Sequence, residues 1–512
     1  MDWLANVTMS GLDLLASLFV FAVGTAFLLV IFLWIIDKTQ TRDSIRHNFP
    51  VVGRFRYLFS HLGEFFRQYF FALDREEMPF NRAERDWIYI SSKGGNNNAP
   101  FGSTRNLLTP GTPIFVPASF ATLESQAEEC PPVIFGPHTD HPYEGKSIIN
   151  VSAMSYGSLS APAIRALSHG AAQAGCWLNT GEGGLSPYHL EGNCDIVFQI
   201  GTAKYGARDE DGNFSEKKFR ENALKPQVKM IELKLAQGAK PGKGGILPAA
   251  KVTREIAMIR GIRQGEASIS PNRHPEIDSF DDLLDFIVRL RKLSGKPVGI
   301  KTVIGDSTWL DDLCAAVMKR GEECAPDFIT LDGGDGGTGA APLALMDNVG
   351  LTLRESLPML VDGLARNGLR ERIKVICSGK LVTPAEVAWA YCAGADAVNS
   401  ARGFMFAIGC IQAMRCHTNT CPTGVTTHNK RLQAGLNPIS KAQQAAMYVK
   451  KINQDVGYIA HSCGVPHPRA LQRRHVRIVQ GNGRSICYGD VYPPIQPNKP
   501  DQSLETVLLR RS

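Results

Sequence analysis

The stretch FITLDGGDGGTGAAP, residues 328–342, joins a short, mostly apolar run to a loop that holds five glycines. The run is typical of a buried strand, and the loop begins where that strand should end. Glycines in such a loop allow the backbone to approach a ligand closely and its amides to point inward. The same arrangement recurs along the chain, and this recurrence predicts the fold.

Eight short apolar runs alternate with segments of helical periodicity between most of them. The runs cover residues 148–153, 176–180, 196–200, 230–235, 298–304, 328–331, 374–377 and 396–399. Eight strands with crossover helices predict an α/β fold, a (β/α)8 TIM barrel. A doubly wound open sheet would also alternate, but it rarely reaches eight strands in series.

Polar residues and glycines gather after the runs, whereas the segments before the runs show no such enrichment. In a barrel those ends share one face, where active sites are built. Barrels often bind phosphate after strands seven and eight, and Ser-Gly-Lys at 378–380 and Ala-Arg-Gly at 401–403 follow the corresponding runs here. The sequence therefore predicts a site for a phosphorylated cofactor.

A dinucleotide site is a weaker interpretation of the glycine-rich loop. Gly334, Gly336 and Gly339 match G-x-G-x-x-G after a strand. A dinucleotide fold also needs an acidic residue about twenty positions later, at the end of the next strand. Here Glu355 lies in a helical stretch instead, which argues against that fold.

Composition narrows the classes of protein further. The 512 residues are 44% hydrophobic and 21% charged, and the net charge is +7. A mild positive charge without basic residues interleaved with aromatics argues against nucleic-acid binding. Twelve cysteines scattered without a compact framework indicate a reducing compartment.

Residues 11–36 are predicted to form a transmembrane helix. Residues 14–36 carry no charge and would span roughly 34 Å as a helix. A signal peptide would need a basic start and a small-residue cleavage site; a buried core helix is the other alternative. Basic residues follow the segment and none precedes it, so the positive-inside rule predicts a single-pass protein of the inner (cytoplasmic) membrane whose remaining chain is cytoplasmic.

The rest of the chain is predicted to form three segments. Residues 37–100 form a juxtamembrane helical segment and linker, whose aromatic residues recur at helical spacing. This helix would lie on the membrane surface or pack on the barrel. Residues 101–470 form the barrel, with a cysteine-containing loop at 405–430, and residues 471–512 form a C-terminal extension.

Three cysteines in that loop, Cys410, Cys416 and Cys421, have the spacing C-x5-C-x4-C with a proline after the last. A structural zinc site requires four ligands, commonly supplied by CxxC pairs, and the chain has no CxxC. Iron–sulfur ligation favours clustered thiolates on a loop, often with a following proline. Three ligands favour a three-iron cluster, whereas a distant Cys463 or Cys487 would complete a four-iron one. A catalytic cysteine and coincidental spacing remain open.

Five motifs, MSYGSLS, NTGEGG, LAQGAKPGKGG, DGGDGGTGAAP and CHTNTCPTGV, together resemble the FMN-binding synthase domain of glutamate synthases. The similarity runs from about residue 85 to about residue 435. With the apolar segment, the layout resembles the stand-alone, membrane-anchored, glutamate-synthase-like proteins of bacteria. The resemblance implies FMN as cofactor and a [3Fe-4S] cluster bound by Cys410, Cys416 and Cys421.

The resemblance also implies a reaction. In the family, ammonia and 2-oxoglutarate condense to 2-iminoglutarate, which reduced FMN converts to L-glutamate. By motif match, Gln237, Lys240 and Arg260 bind the substrate, while Glu182 and Lys240 are the catalytic residues. Lys234 or Lys301 would stabilise negative charge on the reduced flavin. The residues implied to contact FMN are Ser152, Met154, Thr180, Gln199, Lys234, Lys301, Asp332, Gly333, Gly379 and Arg402.

Three departures from the family pattern bear on the reaction. No glutaminase segment precedes the barrel, so we expect ammonia to be free or supplied by a partner. No NAD(P)H module is evident, so we expect electrons from ferredoxin, a flavoprotein subunit or a membrane donor. Ile246 stands where the family usually has a substrate-contacting glutamine, which could alter substrate choice.

Three other functions compete with this one. One keeps the cofactors but uses another amine or keto acid, as N-alkylglutamate synthases do. Another is a non-catalytic electron-transfer subunit of a membrane complex. An FMN-dependent 2-hydroxy-acid oxidase is weaker, because a cluster would have no role in it.

Overall fold

A computed structural model describes residues 2–495, and the chain divides between Ala83 and Glu84 into two compact units. The first unit consists of helices. They are Asp2–Thr39, Ser44–Asn48 and Val52–Phe66, followed by a π-helical turn at Arg67–Phe71. Within residues 2–495, Gly11–Thr39 is the one helix long and apolar enough to cross a membrane, judged by length and composition. The side chains of its apolar window are exposed rather than buried in a core, and crossing itself stays a prediction.

The second unit contains a closed barrel of eight parallel strands, which confirms the predicted fold class. Its strands are β1 (Ile149–Val151), β2 (Leu178–Asn179), β3 (Ile196–Ile200), β4 (Val228–Lys234), β5 (Val298–Thr302), β6 (Phe328–Asp332), β7 (Lys374–Ser378) and β8 (Ala397–Ser400). Each strand pairs with the next along the chain, and β8 pairs with β1 to close the barrel. Every predicted run overlaps one of these strands, and no bound differs by more than two residues.

Helices connect the strands in the order a TIM barrel requires. The longer ones are Arg82–Ser92, Ala161–Ala174, Glu216–Ala223, Phe280–Ser294, Thr308–Arg320, Leu353–Arg366, Pro384–Ala393 and Pro438–Ser462. The shorter ones are Pro187–Leu190, Arg254–Arg260, Arg402–Ala407, Lys430–Gln433 and Tyr488–Val491. The 3₁₀ turns are Glu124–Gln126, Gly181–Gly183, Ala249–Lys251, Glu322–Cys324, Pro468–Ala470 and Arg473–His475.

Three small sheets surround the barrel. A hairpin of Val133–Phe135 and Tyr143–Gly145 closes its N-terminal end, where Phe135 packs edge-on against Trp177 and Phe328. Aromatic packing closes the end of the barrel where the strands begin, so a functional site has room only at the carboxyl ends of the strands. The other two sheets pair Ile246–Leu247 with Ser268–Ile269, and Val476–Val479 with both Pro113–Phe115 and Ser485–Cys487. Part of the predicted C-terminal extension, residues 496–512, lies outside the described residues.

Candidate active site

Glu182 lies in the 3₁₀ turn Gly181–Gly183, directly after strand β2. Its Oε1 lies 2.9 Å from Nζ of Lys234, the last residue of β4. Two glycines hold the carboxylate in place. A Cβ atom on Gly245 would lie 2.7 Å from Cδ of Glu182, and one on Gly201 would lie 2.6 Å from its Cβ. The backbone therefore fixes this carboxylate from two sides, because neither position has room for a methyl group.

The electrostatic surroundings of Glu182 are strongly cationic. Burial acts to raise the pKa of Glu182, but Lys234, Lys240 and Arg260 outweigh it and lower that pKa. The side chain is therefore an anionic hydrogen-bond acceptor facing three cations. Three positive charges against one negative charge leave a surplus that suits an anionic ligand.

Lys240 follows β4 in the loop that carries GAKPG, and it is buried. Its Nζ donates a hydrogen bond to the carbonyl oxygen of Ala340, 2.9 Å away in the glycine-rich loop after β6. Burial lowers the pKa of Lys240 to about 8, although Glu182 opposes the change. A lysine with such a pKa is cationic at neutral pH and close to titration.

Arg260 is the last residue of the helix Arg254–Arg260, and it is also buried. Its guanidinium makes only long hydrogen bonds, 3.3–3.4 Å, to Ser155 Oγ, the Tyr156 carbonyl and Ser268 Oγ. It lies 5.1 Å above the ring of Tyr205. Within residues 2–495 its Nε is buried without a hydrogen-bond partner. Since a buried guanidinium normally satisfies its donors, this one has capacity for an anion.

Gln237 and Ile246 each adjoin a residue that contacts Glu182. Nζ of Lys234 donates to Oε1 of Gln237, so the predicted substrate amide lies against the ion pair. Ile246 starts the short strand that pairs with Ser268–Ile269, and it directly follows Gly245. An apolar side chain therefore flanks the glycine that packs on Glu182.

A second carboxylate, Glu232 in strand β4, lies in the barrel interior, and sequence reasoning missed it. Asn179 Nδ2 and Gln199 Nε2 donate to its Oε1, at 2.8 and 2.6 Å. Thr330 Oγ1 donates to its Oε2 at 2.5 Å. The side chain is almost completely buried. This network orients Gln199, one of the residues implied to contact FMN, towards the interior of the barrel.

Lys301 and Asp332, also implied to contact FMN, form an ion pair of 3.3 Å between strands β5 and β6. Burial alone would lower the pKa of Lys301, but the nearby Asp332 and Glu232 outweigh it and raise that pKa. Asp332 also accepts hydrogen bonds from Ser378 Oγ, at 2.7 Å, and from the amide of Gly238, at 2.9 Å. Lys301 is thus a fixed cation at the mouth of the barrel.

The other residues implied to contact FMN lie at the same end of the barrel. The amide of Ser152 donates to the carbonyl of Ser400, and the Oγ1 of Thr180 accepts from the amide of Gln199. Gly379 has a φ of 142°, which favours glycine, and Nη2 of Arg402 donates to the carbonyl of Asp335 at 3.3 Å. The remaining two are the buried Met154 and Gly333. Their role in binding a cofactor stays a prediction.

The three loop cysteines are free thiols in the loop after the helix Arg402–Ala407. Burial raises the pKa of Cys410 to about 12, and Cys416 and Cys421 add to the increase. Cys463 and Cys487 instead contact the carbonyls of residues 475 and 473. Among residues 2–495 no group of His, Cys, Asp or Glu is gathered closely enough to hold a metal ion as it stands. Three free thiols on one loop nevertheless suit a thiolate-bound cluster in their chemistry.

Lys251, a second residue that sequence reasoning missed, connects the cysteine loop to the barrel. Its Nζ donates to the carbonyl of Ser158, at 2.6 Å, and to that of Cys416, at 3.2 Å. Nδ2 of Asn419 donates to the carbonyl of Ala250 at 3.0 Å, so the loop and the turn Ala249–Lys251 are joined twice. The cysteine loop therefore adjoins the loop after β1 that contacts Arg260.

Comparison with known proteins identifies the family. A model described as the conserved region in glutamate synthase matches residues 107–466. The chain belongs to the glutamate synthase family. A glutamate synthase large subunit-like protein of Bacillus subtilis (strain 168) is 40% identical to this family member, over 92% of this chain and 97% of that protein.

More distant similarities are weaker in coverage or in identity. An archaeal-type glutamate synthase [NADPH] of Dehalococcoides mccartyi is 30% identical over 64% of this chain and 62% of that protein, so the chain spans about three fifths of that relative. A mutant flavocytochrome b2 with pyruvate bound is 15% identical, with a TM-score of 0.45 over 82% of this chain and 90% of that one. A likeness of that size carries no functional argument.

Proposed function

We propose that this glutamate synthase family member is an FMN- and iron–sulfur-dependent oxidoreductase that forms L-glutamate from 2-oxoglutarate, ammonia and external electrons. The observation that carries the proposal is the cationic site at the carboxyl ends of the strands. There Lys234, Lys240 and Arg260 surround the one carboxylate of Glu182. That surplus of charge complements a dicarboxylate.

Substrate binding rests on Lys240 and Arg260. The guanidinium of Arg260 has a buried donor without a protein partner, and a carboxylate can accept from it in a bidentate geometry. Lys240 supplies a second positive charge, held by the carbonyl of Ala340. Each cation would bind one carboxylate, which leaves the keto carbon between them beside Glu182.

Glu182 would transfer the proton during imine formation. Condensing ammonia with a ketone forms a C=N bond and releases water, so a proton must leave nitrogen and reach the departing hydroxyl. Glu182 is ionised in the free site and can accept that proton. A dianion bound beside Lys240 and Arg260 would offset their charge and raise the pKa of Glu182. The carboxylate would then be a stronger base once substrate is present.

FMN, when bound, would supply the hydride that reduces the imine carbon. Lys301, fixed by Asp332, would face the isoalloxazine ring and balance negative charge on it. Arg402 and the backbone at Gly379 follow strands β8 and β7, where barrels bind phosphate, and would hold the phosphate group. The network around Glu232 would hold Gln199 in place for this cofactor.

The cysteine loop would hold the electron-accepting centre. Cys410, Cys416 and Cys421 would ligate a [3Fe-4S] cluster, and Lys251 fixes the backbone at Cys416. An electron-donor protein, ferredoxin or a flavoprotein subunit, would deliver electrons there. The helix Gly11–Thr39 would anchor the enzyme as a single-pass protein in the cytoplasmic membrane, with the barrel in the cytoplasm.

A second candidate keeps the same cofactors but uses another amine or keto acid. The observation that favours it is Ile246, which follows the glycine packed on Glu182 and offers no hydrogen bond there. An apolar contact at this place would tolerate an alkyl group better than an amide would. N-alkylglutamate would then be the product.

Isotopically labelled ammonium and methylamine discriminate between the two candidates. The full-length protein, chemically reduced without oxygen, is given 2-oxoglutarate with each amine, and products are identified by mass spectrometry. Glutamate carrying the labelled nitrogen supports the first proposal. N-methylglutamate as the main product supports the second. If neither product forms, both candidates are contradicted.

A further inference from the structure

The N-terminal unit contains an aromatic face that the proposed reaction does not use. Side chains on the helix Val52–Phe66 and the turn Arg67–Phe71 are spaced three and four residues apart, and their exposed fractions lie between 45% and 73%. They are Phe55, Leu58, Phe59, Phe65, Phe66, Tyr69 and Phe70. Phe55 and Phe59 stack with ring centroids 6.2 Å apart, and Phe66 and Phe70 lie 5.5 Å apart. The two pairs lie on one face of the element, with the half-buried Leu62 between them, and together they form an apolar stripe.

An ion-pair cluster around Asp37 fixes the start of this element. Its carboxylate, in the last turns of the apolar helix Gly11–Thr39, is completely buried. Arg46 pairs with it at 2.6 Å, Arg54 pairs with it at 2.7 Å, and the amide of Val51 donates to it at 3.0 Å. The aromatic helix is therefore tied directly to the end of the apolar helix.

The charge of the same segment complements an anionic surface. Residues 37–71 contain six Lys or Arg and three Asp or Glu, and Asp37 is already neutralised by two arginines. Basic residues beside a membrane span are attracted to anionic headgroups. Aromatic rings prefer the same interfacial depth. Both features point to one partner chemistry.

We propose that residues 44–71 lie on the surface of an anionic lipid bilayer, with the aromatic stripe in the interface. The inference rests on the proposed membrane span, because the Asp37 cluster places the stripe at the end of that helix. A bilayer fits better than a protein partner, since the stripe continues from a helix whose own apolar side chains are exposed.

Photo-cross-linking in vesicles tests the inference on the full-length protein. Phe59 is replaced by p-benzoylphenylalanine, and the matched control carries it at the exposed Ser60, which lies about 100° around the helix from Phe59 and outside the stripe. Vesicles contain phosphatidylcholine alone or with phosphatidylglycerol. We expect lipid adducts at position 59 to exceed those at position 60 about tenfold, and to increase with phosphatidylglycerol.

Four results would overturn the inference. Adducts from position 59 to protein rather than lipid would show that protein, and not a bilayer, covers the stripe. Equal lipid adducts at positions 59 and 60 would show that the face has no preferred orientation. Protein recovered outside the vesicle fraction would contradict the membrane span on which the inference rests. Protein that stays with the vesicles but forms no lipid adducts would contradict only the surface contact.

Discussion

Nζ of Lys234 lies 2.9 Å from Oε1 of Glu182, and this ion pair joins the carboxyl ends of strands β4 and β2 across the mouth of the barrel. Gly201 and Gly245 pack on the carboxylate, so the pair has little freedom to move. A carboxylate held this firmly among three cations is suited to proton transfer beside an anionic substrate.

Glu182→Gln should lower the rate of glutamate formation by about 100-fold or more, because the amide cannot accept the proton released by ammonia. FMN content should stay at the wild-type level. Turnover by the reduced protein is the measurement. Glu191→Gln is the matched control, since Glu191 pairs with Arg165 on the surface, and it should behave as wild type. Turnover that survives Glu182→Gln would contradict the assigned role.

Gly245→Ala should displace Glu182 without removing any charged group. The added Cβ would lie 2.7 Å from Cδ of Glu182, which forces the carboxylate away from its position. We expect turnover to fall at least about tenfold and the free energy of unfolding to decrease by about 1–3 kcal/mol. Gly305→Ala, where nothing lies within 4 Å of the new Cβ, is the control. Full activity in Gly245→Ala would show that the position of Glu182 is not critical.

The pH dependence of kcat/KM for 2-oxoglutarate should reflect the ionisation of Lys240. Burial lowers its pKa to about 8, so the side chain is cationic below that pH and loses its proton as the pH rises through it. With free ammonia held constant, kcat/KM for 2-oxoglutarate should therefore fall above about pH 8, by about tenfold per pH unit.

The substitution Lys240→Arg keeps the positive charge and should move this decline to higher pH. Lys243→Arg, in the same loop, should leave it in place. An unchanged profile in Lys240→Arg would assign the decline to another group.

Lys251→Met should loosen the cysteine loop. The substitution removes the donor to the carbonyls of Ser158 and Cys416. Losing charged hydrogen bonds of this kind costs about 1.5–3 kcal/mol. We expect iron content and the three-iron paramagnetic resonance signal of the oxidised protein to fall while FMN content is retained. The exposed Lys430→Met is the control.

The cluster assignment itself has a sharper check. Cys416→Ser should abolish the three-iron signal, because it removes one of three ligands. A signal that persists in Cys416→Ser would exclude the assigned ligand set. An unaltered signal in Lys251→Met would show only that the loop holds its position without that lysine.

The strands could be predicted because each one is a short apolar run that ends in glycine or a polar residue. The run at 196–200 matches β3 in both bounds. The run at 176–180 was predicted longer than β2, which covers only Leu178–Asn179. Asn179 Oδ1 accepts a hydrogen bond from the amide of Gly181, whose φ is 63°, so the chain turns there rather than continuing as a strand.

The residues that were missed have no local signal. Lys251 contacts Ser158 and Cys416, which lie 93 and 165 positions away in the chain. Glu232 is one charged residue in an otherwise ordinary strand, and its three donors come from three other strands. His274, whose Nε2 lies 3.0 Å from the Lys234 carbonyl, is buried behind the site in a loop. Only the closed barrel brings these side chains to their partners.

The most direct test of the central claim follows reoxidation of the bound flavin. The full-length protein is purified without oxygen, its flavin is chemically reduced, and 2-oxoglutarate and ammonium are added separately and together. Fast reoxidation that needs both substrates and yields glutamate is the predicted result. Arg260→Ala should slow it at least about tenfold, and the exposed Arg263→Ala should not. A flavin that stays reduced with both substrates present would contradict glutamate synthase chemistry in this protein.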